Sequence, residues 1–400
     1  MSNFLNRVPS LASDYSGACS VLFPLPSLNL LYSPGGCSSA VIECDEIRDL
    51  RQTLFFSSKL GEMEAVMGAE EEFLFHAETL WEKNRQAELI AIMGTPVPAL
   101  TGVDIGAMAD MLSRRTGLTV LALPTEGFET YYSGVYYTLL TLGKHFLERR
   151  EKKDNQVNIL GYTPLSLGKE THLTELIDEL EECGLKINCS PVGKIDLETF
   201  QKMSSAALNL VVAHEGVGLA QYMEKEYSIP YVMHVPVGLW GRQRLFQVLA
   251  EIVDIPMTDV SKQCYFPTNK AVQSGQRAVV IGEPLFASCM ASCLHNDFGL
   301  EYVEATSLIK MDRRMKKVYQ ETVLSDVHLF DDEEALAQWI DRIQPDIIVG
   351  DPLYQRLFSG GSTHFVPIPL VGLSGPLYAA AQYEFIGKRG YDYLASFIGV

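Results

Sequence analysis

A chain of 400 residues, 47% hydrophobic and 20% charged, is long enough for about two or three domains with buried cores. Its net charge of −18 disfavours nucleic-acid binding, which depends on clustered lysine and arginine side chains. No apolar run reaches the roughly 18–20 residues of a membrane-spanning helix, and the first residues lack the apolar segment of a signal peptide. We therefore expect a cytoplasmic protein whose eight cysteines are thiols.

Short β-type runs alternate with helical patterns along the chain, as in proteins built from parallel α/β units. In the first third, strands are predicted over 88–93 and 118–123. Helices are predicted over 62–84, over 104–116 and from about 133 to 150. This order of elements predicts a parallel sheet flanked by helices.

Two further units repeat the order of strand, glycine and helix. The second opens with a predicted strand over 156–161, after the charged linker 149–155, and the third opens with a predicted strand over 277–282. We expect three domains, with the boundaries 1–152, 153–272 and 273–400. The C-terminal helix, within 376–400, is expected to pack back against the first domain.

Cys19 and Cys37 are the candidate metal ligands of the first unit. Cys19 follows Gly17-Ala18, and Cys37 follows Pro34-Gly35-Gly36. Glycines let the backbone approach a bulky group closely, and thiolates are the usual ligands of iron–sulfur clusters. Because such clusters usually take four thiolates, two from this chain would need a partner chain or a second copy. The alternative is that both thiols are packed in the core, the common state of a free cysteine.

Two histidines are candidates to face a ligand. His214 follows a predicted strand over 208–213, at the edge where open α/β sheets bind ligands. It would donate a proton or contact a substrate there, and the alternative is a hydrogen bond within the turn. His364 follows the glycine-rich loop 359–363 and would either face a ligand or lie in solvent.

The remaining motifs are weaker. Cys289 and Cys293 share one face of a predicted helix, but their apolar neighbours favour packing over metal binding. Cys44 is a reserve ligand because it follows Cys37 by seven residues. The segment 94–102 lacks the Gly-Lys-Ser/Thr ending of a phosphate-binding loop, so we expect no ATP site on this chain.

Segments spread over nearly the whole chain resemble the nitrogenase component 1 family. This family includes the molybdenum–iron protein subunits, their cofactor-assembly scaffold homologues, the dark-operative protochlorophyllide reductase subunits and the nickel-sirohydrochlorin diamide reductase of methanogens. The order and spacing of the matching segments make the resemblance specific. These segments are that around Cys19, then 33–37, 66–70, 124–128, 157–162, 229–231, 236–238 and 390–391.

The resemblance implies three Rossmann-like α/β domains around an interdomain cleft and a subunit that works in a pair. A separate ATP-hydrolysing iron protein would deliver electrons to a cluster at the subunit interface, either 4Fe–4S or similar to a P-cluster. Cys19 and Cys37 would be its ligands, and Gly36 would permit close approach of the backbone. The substrate would lie in the cleft near His214 and His364.

Two departures from the family pattern limit the function. Pro96 stands where the family has its third cluster cysteine. Catalytic nitrogenase subunits hold their cofactor by a cysteine just after a strand that matches 209–213, where this chain has His214. The chain is therefore expected to anchor no iron–molybdenum-type cofactor, which argues against dinitrogen reduction at this subunit.

Three functions stay open from the sequence. The chain would be an oxidoreductase subunit, a scaffold for the assembly of a metal cluster or tetrapyrrole, or a degenerate member that binds an organic ligand without iron. The partner subunit would be a second copy or a homologue.

Overall fold

The computed structural model describes residues 12–41, 46, 48, 53–253, 275–309, 311, 313–322, 326–358, 363–370, 373 and 382–398. The strands of this part of the chain, in order, are β1 Ser27–Tyr32, β2 Leu54–Ser57, β3 Leu89–Gly94, β4 Val120–Leu123, β5 Lys153–Leu160, β6 Lys186–Cys189, β7 Ala206–Val211, β8 Tyr231–Met233, β9 Arg277–Ile281, β10 Tyr302–Ser307, β11 Val327–Leu329, β12 Ile347–Gly350 and β13 His364–Pro367.

The described helices flank these strands. They are α1 Asp14–Leu22, α2 Gly35–Ala40, α3 Glu62–Met67, α4 Glu70–Lys83, α5 Pro96–Thr101, α6 Ile105–Thr116, α7 Tyr131–Phe146, α8 Pro164–Leu167, α9 Glu170–Glu182, α10 Leu197–Gln201, α11 Val217–Tyr227, α12 Gly238–Ile252, α13 Pro284–Phe298, α14 Arg313–Thr322, α15 Glu333–Ile343 and α16 Gly387–Ile398. Within the described ranges, no helix combines the length and apolarity needed to cross a membrane.

The strands form three parallel sheets that follow one another along the chain. Their orders are β2-β1-β3-β4, then β6-β5-β7-β8, then β11-β10-β9-β12-β13. Each order reverses direction beside the first strand of its unit, as right-handed crossover helices on both faces require. The central strand β3 is buried at every position because helices cover both of its faces. The predicted α/β fold with three Rossmann-like domains is confirmed.

The long helix predicted over 62–84 is wrong. Two helices, α3 and α4, occupy this segment, and Gly68 separates them with φ +82° and ψ 151°. Only glycine adopts this conformation without strain, so the helical pattern is interrupted by the backbone. The helix predicted to reach 150 ends at Phe146, because Leu147 is extended.

The C-terminal helix α16 packs on the second and third domains, whereas the sequence suggested the first. It lies against α12. Its Tyr391 stacks on Phe298 of α13, with 5.1 Å between ring centroids. The connection that precedes α16 fixes this position, because the Phe385 carbonyl accepts a hydrogen bond of 2.9 Å from the Gly238 amide.

Candidate functional site

The carboxyl edge of the first sheet brings the two candidate thiols to one side of the domain. Cys37 lies in α2, directly after β1, and is half-buried. Cys19 lies on α1 and is only 1% exposed. Its Sγ is 3.7 Å from Sδ of Met93, near the end of the neighbouring strand β3.

Helix α1 is held in place by direct backbone contact with α7. A Cβ atom on Gly17 would overlap the Tyr131 carbonyl, and one on Gly134 would overlap the Asp14 carbonyl. The buried Asp14 carboxylate also accepts hydrogen bonds from the amides of Glu126 and Gly127, at 3.1 and 2.8 Å. These contacts fix the helix that carries Cys19 against the end of β4.

The turn before Cys37 is open. A Cβ atom at Gly35 or at Gly36 would meet nothing within 4 Å, and neither glycine has a positive φ. Neither internal packing nor backbone conformation therefore requires glycine here. A group that approaches from outside the chain would use this space.

The donor set fits part of a cluster site. Pro96, at the position where the resemblance led us to expect a third cysteine, begins α5, and its ring fills the space beside Gly127, where a Cβ atom would overlap it. Among the described residues, no group of three or more His, Cys, Asp or Glu side chains is arranged to hold a metal ion. Cys37 lies beside the open turn, whereas Cys19 faces inward. A four-thiolate cluster would thus need ligands beyond these two.

The other described cysteines are buried. The Val235 amide donates a hydrogen bond of 3.4 Å to Sγ of Cys289, and Sγ of Cys293 lies 3.3 Å from a carboxylate oxygen of Asp297. Burial raises the pKa of Cys289 to about 12, and that of Cys189 to about the same value, so both thiols stay protonated. Cys44 and Cys264 lie outside the described residues.

His214 lies at a cleft that all three domains line. It is buried and begins a short 3₁₀ turn after β7. The cleft has a volume of about 180 Å³, with Tyr132 and Tyr136 from the first domain and Met315 from the third among its lining residues. His214 Nδ1 is 3.0 Å from the Tyr319 hydroxyl oxygen, and the His214 amide donates a hydrogen bond of 3.0 Å to Oε1 of Glu283.

His364 is not brought to this cleft. It is the first residue of β13, at the amino end of the strand, and it is exposed. Its ring centroid is 6.2 Å from that of Phe397 on α16. Because parallel strands present ligand sites at their carboxyl ends, His364 lies at the opposite edge of the sheet. A substrate role for either histidine stays a prediction.

Two buried glutamates beside His214 were not predicted from the sequence. Glu283 caps α13 and accepts hydrogen bonds from the amides of Leu285 and Phe286, at 3.0 and 2.8 Å. Glu215 is fully buried, and no described residue donates a well-formed hydrogen bond to either of its carboxyl oxygens. Burial raises the pKa of Glu283 to about 7 and that of Glu215 well above its usual range. The Gly282-Glu283-Pro284 run is typical of a capped helix start, but it does not reveal this proximity.

The family described as nitrogenase component 1 type oxidoreductase matches residues 13–397. The chain belongs to this family. Among its relatives are subunits of the light-independent protochlorophyllide reductase, one from Crocosphaera subtropica, 26% identical over 290 residues, and one from Staurastrum punctulatum, 22% identical over 353 residues. These matches cover 65% and 79% of this chain, and 56% and 68% of the two relatives. The chain thus spans little more than half the length of the first relative.

Solved structures of the nitrogenase component 1 type agree with the fold. The structure titled "Nitrogenase Cp1 at pH 6.5" has a TM-score of 0.77 and 14% sequence identity, and the match covers 100% of this chain and 93% of that one. A second structure of the same protein, at pH 5, has a TM-score of 0.71 and 18% identity, with 100% and 90% covered. Because the sequence identities are this low, the structural similarity shows the fold alone.

Proposed function

We propose that this chain is a subunit of a nitrogenase-like two-component oxidoreductase. It would receive electrons from an ATP-dependent iron protein through an iron–sulfur cluster at a subunit interface. The observation that carries the proposal is the family match over 13–397 together with two cysteines at one edge of the first sheet. The relatives named as protochlorophyllide reductase subunits support a reductase that acts on an organic substrate.

The chain's own residues would divide this work. Cys37 and Cys19 would hold the cluster, which supplies electron transfer when bound, and the open turn at Gly36 would accommodate it. The cleft of about 180 Å³, which is open to solvent, would receive the reacting part of the substrate, with His214 as the proton donor. Since His214 stands at the expected anchor position, the chain would hold no iron–molybdenum-type cofactor, and dinitrogen reduction is not proposed.

The partner subunit completes the proposed cluster. Two copies of this chain would supply four thiolates from Cys19 and Cys37, enough for one 4Fe–4S cluster on a twofold axis. A homologous subunit would instead contribute its own set of ligands. We also propose that the protein acts in the cytoplasm, as expected from the sequence.

A scaffold for metal-cluster or tetrapyrrole assembly is the second candidate. What favours it is Pro96, which begins α5 where the resemblance led us to expect a third cysteine, since an incomplete ligand set makes a cluster easier to release. Anaerobic mixing with the reduced cognate iron protein separates the candidates. The oxidoreductase requires a reduced-cluster EPR signal in this chain that depends on MgATP. A scaffold would hold iron and sulfide without MgATP-dependent reduction, and a chain without iron would contradict both.

We expect Gly36→Ala to leave the free energy of unfolding unchanged within about 0.5 kcal/mol, because a Cβ atom meets nothing in the chain. The same substitution should lower the iron content after anaerobic purification with the partner subunit, since the methyl group occupies the proposed approach. Chemical denaturation and iron analysis check the two parts. Gly106→Ala on α6 is the control for iron content, because the φ of Gly106 is not positive and its Cβ atom would meet only the Asp104 side chain, at 3.2 Å. Iron bound equally by all three proteins would contradict the role given to Gly36.

A further inference from the structure

The junction of the three domains buries two carboxyl groups beside His214. Glu215 is 0% exposed and Glu283 is 1% exposed. Burial is the main cause that raises the pKa of Glu215, and the charge of Glu283 adds to it. Burial, together with the charges of these carboxyls, also raises the pKa of Tyr132 from α7 and of Tyr319 from α14. Glu215 directly follows His214, whose amide donates a hydrogen bond to Oε1 of Glu283, so the two carboxyls belong to residues joined at one buried contact. Burial disfavours two charges there, so the pair holds a proton at neutral pH.

The hydrogen bonds decide where that proton resides. Glu283 accepts hydrogen bonds from three backbone amides, those of His214, Leu285 and Phe286, which favour its charged form. Glu215 has only its own backbone amide and the Ser166 hydroxyl to lower its pKa. Neither the Glu215 amide nor the Ser166 hydroxyl carries a positive charge that would stabilise a Glu215 carboxylate. Glu215 is therefore the protonated member, and Glu283 is the member that titrates.

A chain of hydrogen-bonding groups leads from Glu283 to the cleft. The Tyr319 hydroxyl donates to Oε1 of Glu283 at 3.4 Å, and it lies 3.0 Å from Nδ1 of His214. His214 lines the cleft. On its other side, Glu283 borders a second, small cavity of about 20 Å³, with room for about one water molecule, which is also lined by Ser166 and Asp351. Glu283, Tyr319 and His214 thus connect the second cavity to the cleft.

We propose that Glu283, Tyr319 and His214 form a proton relay from the second cavity into the cleft, beside the buried and neutral Glu215. Its role in reduction rests on the proposed function. The relay geometry does not depend on that function.

The proposed step balances for one electron that a low-potential one-electron donor gives to the substrate, and it leaves the neutral His214 ring protonated at Nδ1. His214 transfers one proton from Nε2 to the reduced substrate and takes one at Nδ1 from the Tyr319 hydroxyl. Tyr319 takes one from the Glu283 carboxyl, and Glu283 is reprotonated from water in the second cavity. His214 would be a catalytic residue, whereas Tyr319 and Glu283 act through it.

The pair is tested first on the resting protein, without substrate or iron protein. We expect the infrared spectrum at about pH 8.5, above the pKa of about 7 of Glu283, to show the carbonyl stretch of a protonated buried carboxyl. Glu215→Gln should remove this band, and Glu283→Gln should keep it. Tyr131, Tyr132 and Cys289, which are neighbours of the pair, do not absorb as carboxyls. Asp351, and the carboxyls of Asp14, Glu179 and Asp297, whose pKa is raised, are unchanged in both variants, so the difference between the variants identifies the residue. Absence of this band in the wild type, or its full survival in Glu215→Gln, would contradict the neutral state assigned to Glu215.

The relay is tested by the ¹⁵N resonances of the His214 ring, assigned with His214→Gln. In the wild type, the ring should respond to the titration of the carboxyl pair. Tyr319→Phe should remove the part of the response at Nδ1, the atom that faces the Tyr319 hydroxyl, whereas Tyr393→Phe, whose hydroxyl donates to the Pro367 carbonyl, should keep it. A ring that responds equally in Tyr319→Phe would overturn the relay, even if the protein is an active reductase.

If the oxidoreductase turns over, Tyr319→Phe should slow proton delivery by about 10²-fold while MgATP-dependent reduction of the cluster continues. If the wild type shows no MgATP-dependent reduction of a cluster, the proposed function is contradicted. The infrared and ¹⁵N results would then still test the relay. An unchanged rate and an unchanged solvent isotope effect in Tyr319→Phe would contradict the relay alone.

Discussion

Gly134→Ala is expected to lower the free energy of unfolding by about 3 kcal/mol, the upper part of the range for overpacking. The new Cβ atom would overlap the backbone carbonyl of Asp14 on α1, and a backbone carbonyl has no alternative rotamer. The helices α1 and α7 would have to separate, and the close packing between them would be lost. Denaturant unfolding of the metal-free protein measures the effect.

Gly143→Ala on the same helix is the matched control. Its Cβ atom would overlap only the end of the Leu219 side chain, which has other rotamers. We expect a clearly smaller loss of stability, with no change in the position of α1. Equal losses in the two variants would contradict the idea that backbone contact at Gly134 holds the helix of Cys19.

The buried carboxyl pair is expected to make the protein less stable as the pH rises from about 4.5 to about 7. Burial raises the pKa of Glu283 from 4.5 to about 7 in the folded state. Between these values the folded state binds more protons than the unfolded state, so stability falls with rising pH. The contribution of Glu283 is fully present below pH 4.5 and amounts to roughly 3 kcal/mol, lost above about pH 7. Asp297, whose pKa is raised to about 6, adds in the same direction.

Glu215→Gln tests the origin of this slope. The amide has nearly the shape of the protonated carboxyl but does not ionise, so the part of the slope due to Glu215 should disappear. Glu334→Gln, at an exposed position of α15, should leave the slope unchanged. The free energy of unfolding at a series of pH values from 5 to 8 measures both. A wild-type stability that is flat or rises over this range would contradict the role given to the carboxyl pair.

The framework of the fold was predictable because each unit carries local signals. Residues such as those of β3 form a continuous apolar run, and Asp104 caps α6 with a hydrogen bond to the Ala107 amide. These signals need no knowledge of distant contacts. The break at Gly68 was missed because helical periodicity continues across it, and only the backbone angles reveal the interruption.

The candidate residues Cys19, Cys37 and His214 came from local patterns, which are the glycines before each thiol and the strand end before the histidine. The resemblance gave them expected roles, which stay predictions. Neither source showed that Cys19 faces inward against Met93. The pairing of Glu215 with Glu283 depends on how the second domain meets the third, and no local pattern encodes such a contact. The destination of α16 was missed for the same reason.

Iron and acid-labile sulfide analysis after strictly anaerobic purification, with EPR, tests the cluster most directly. The variants are Cys37→Ser and Cys19→Ser, with Cys183→Ser as a control that removes a buried thiol from the second domain. We predict iron and sulfide in the wild type and in Cys183→Ser, with most of both lost in the other two. Iron content that is unchanged in Cys19→Ser and Cys37→Ser would contradict the proposed cluster site.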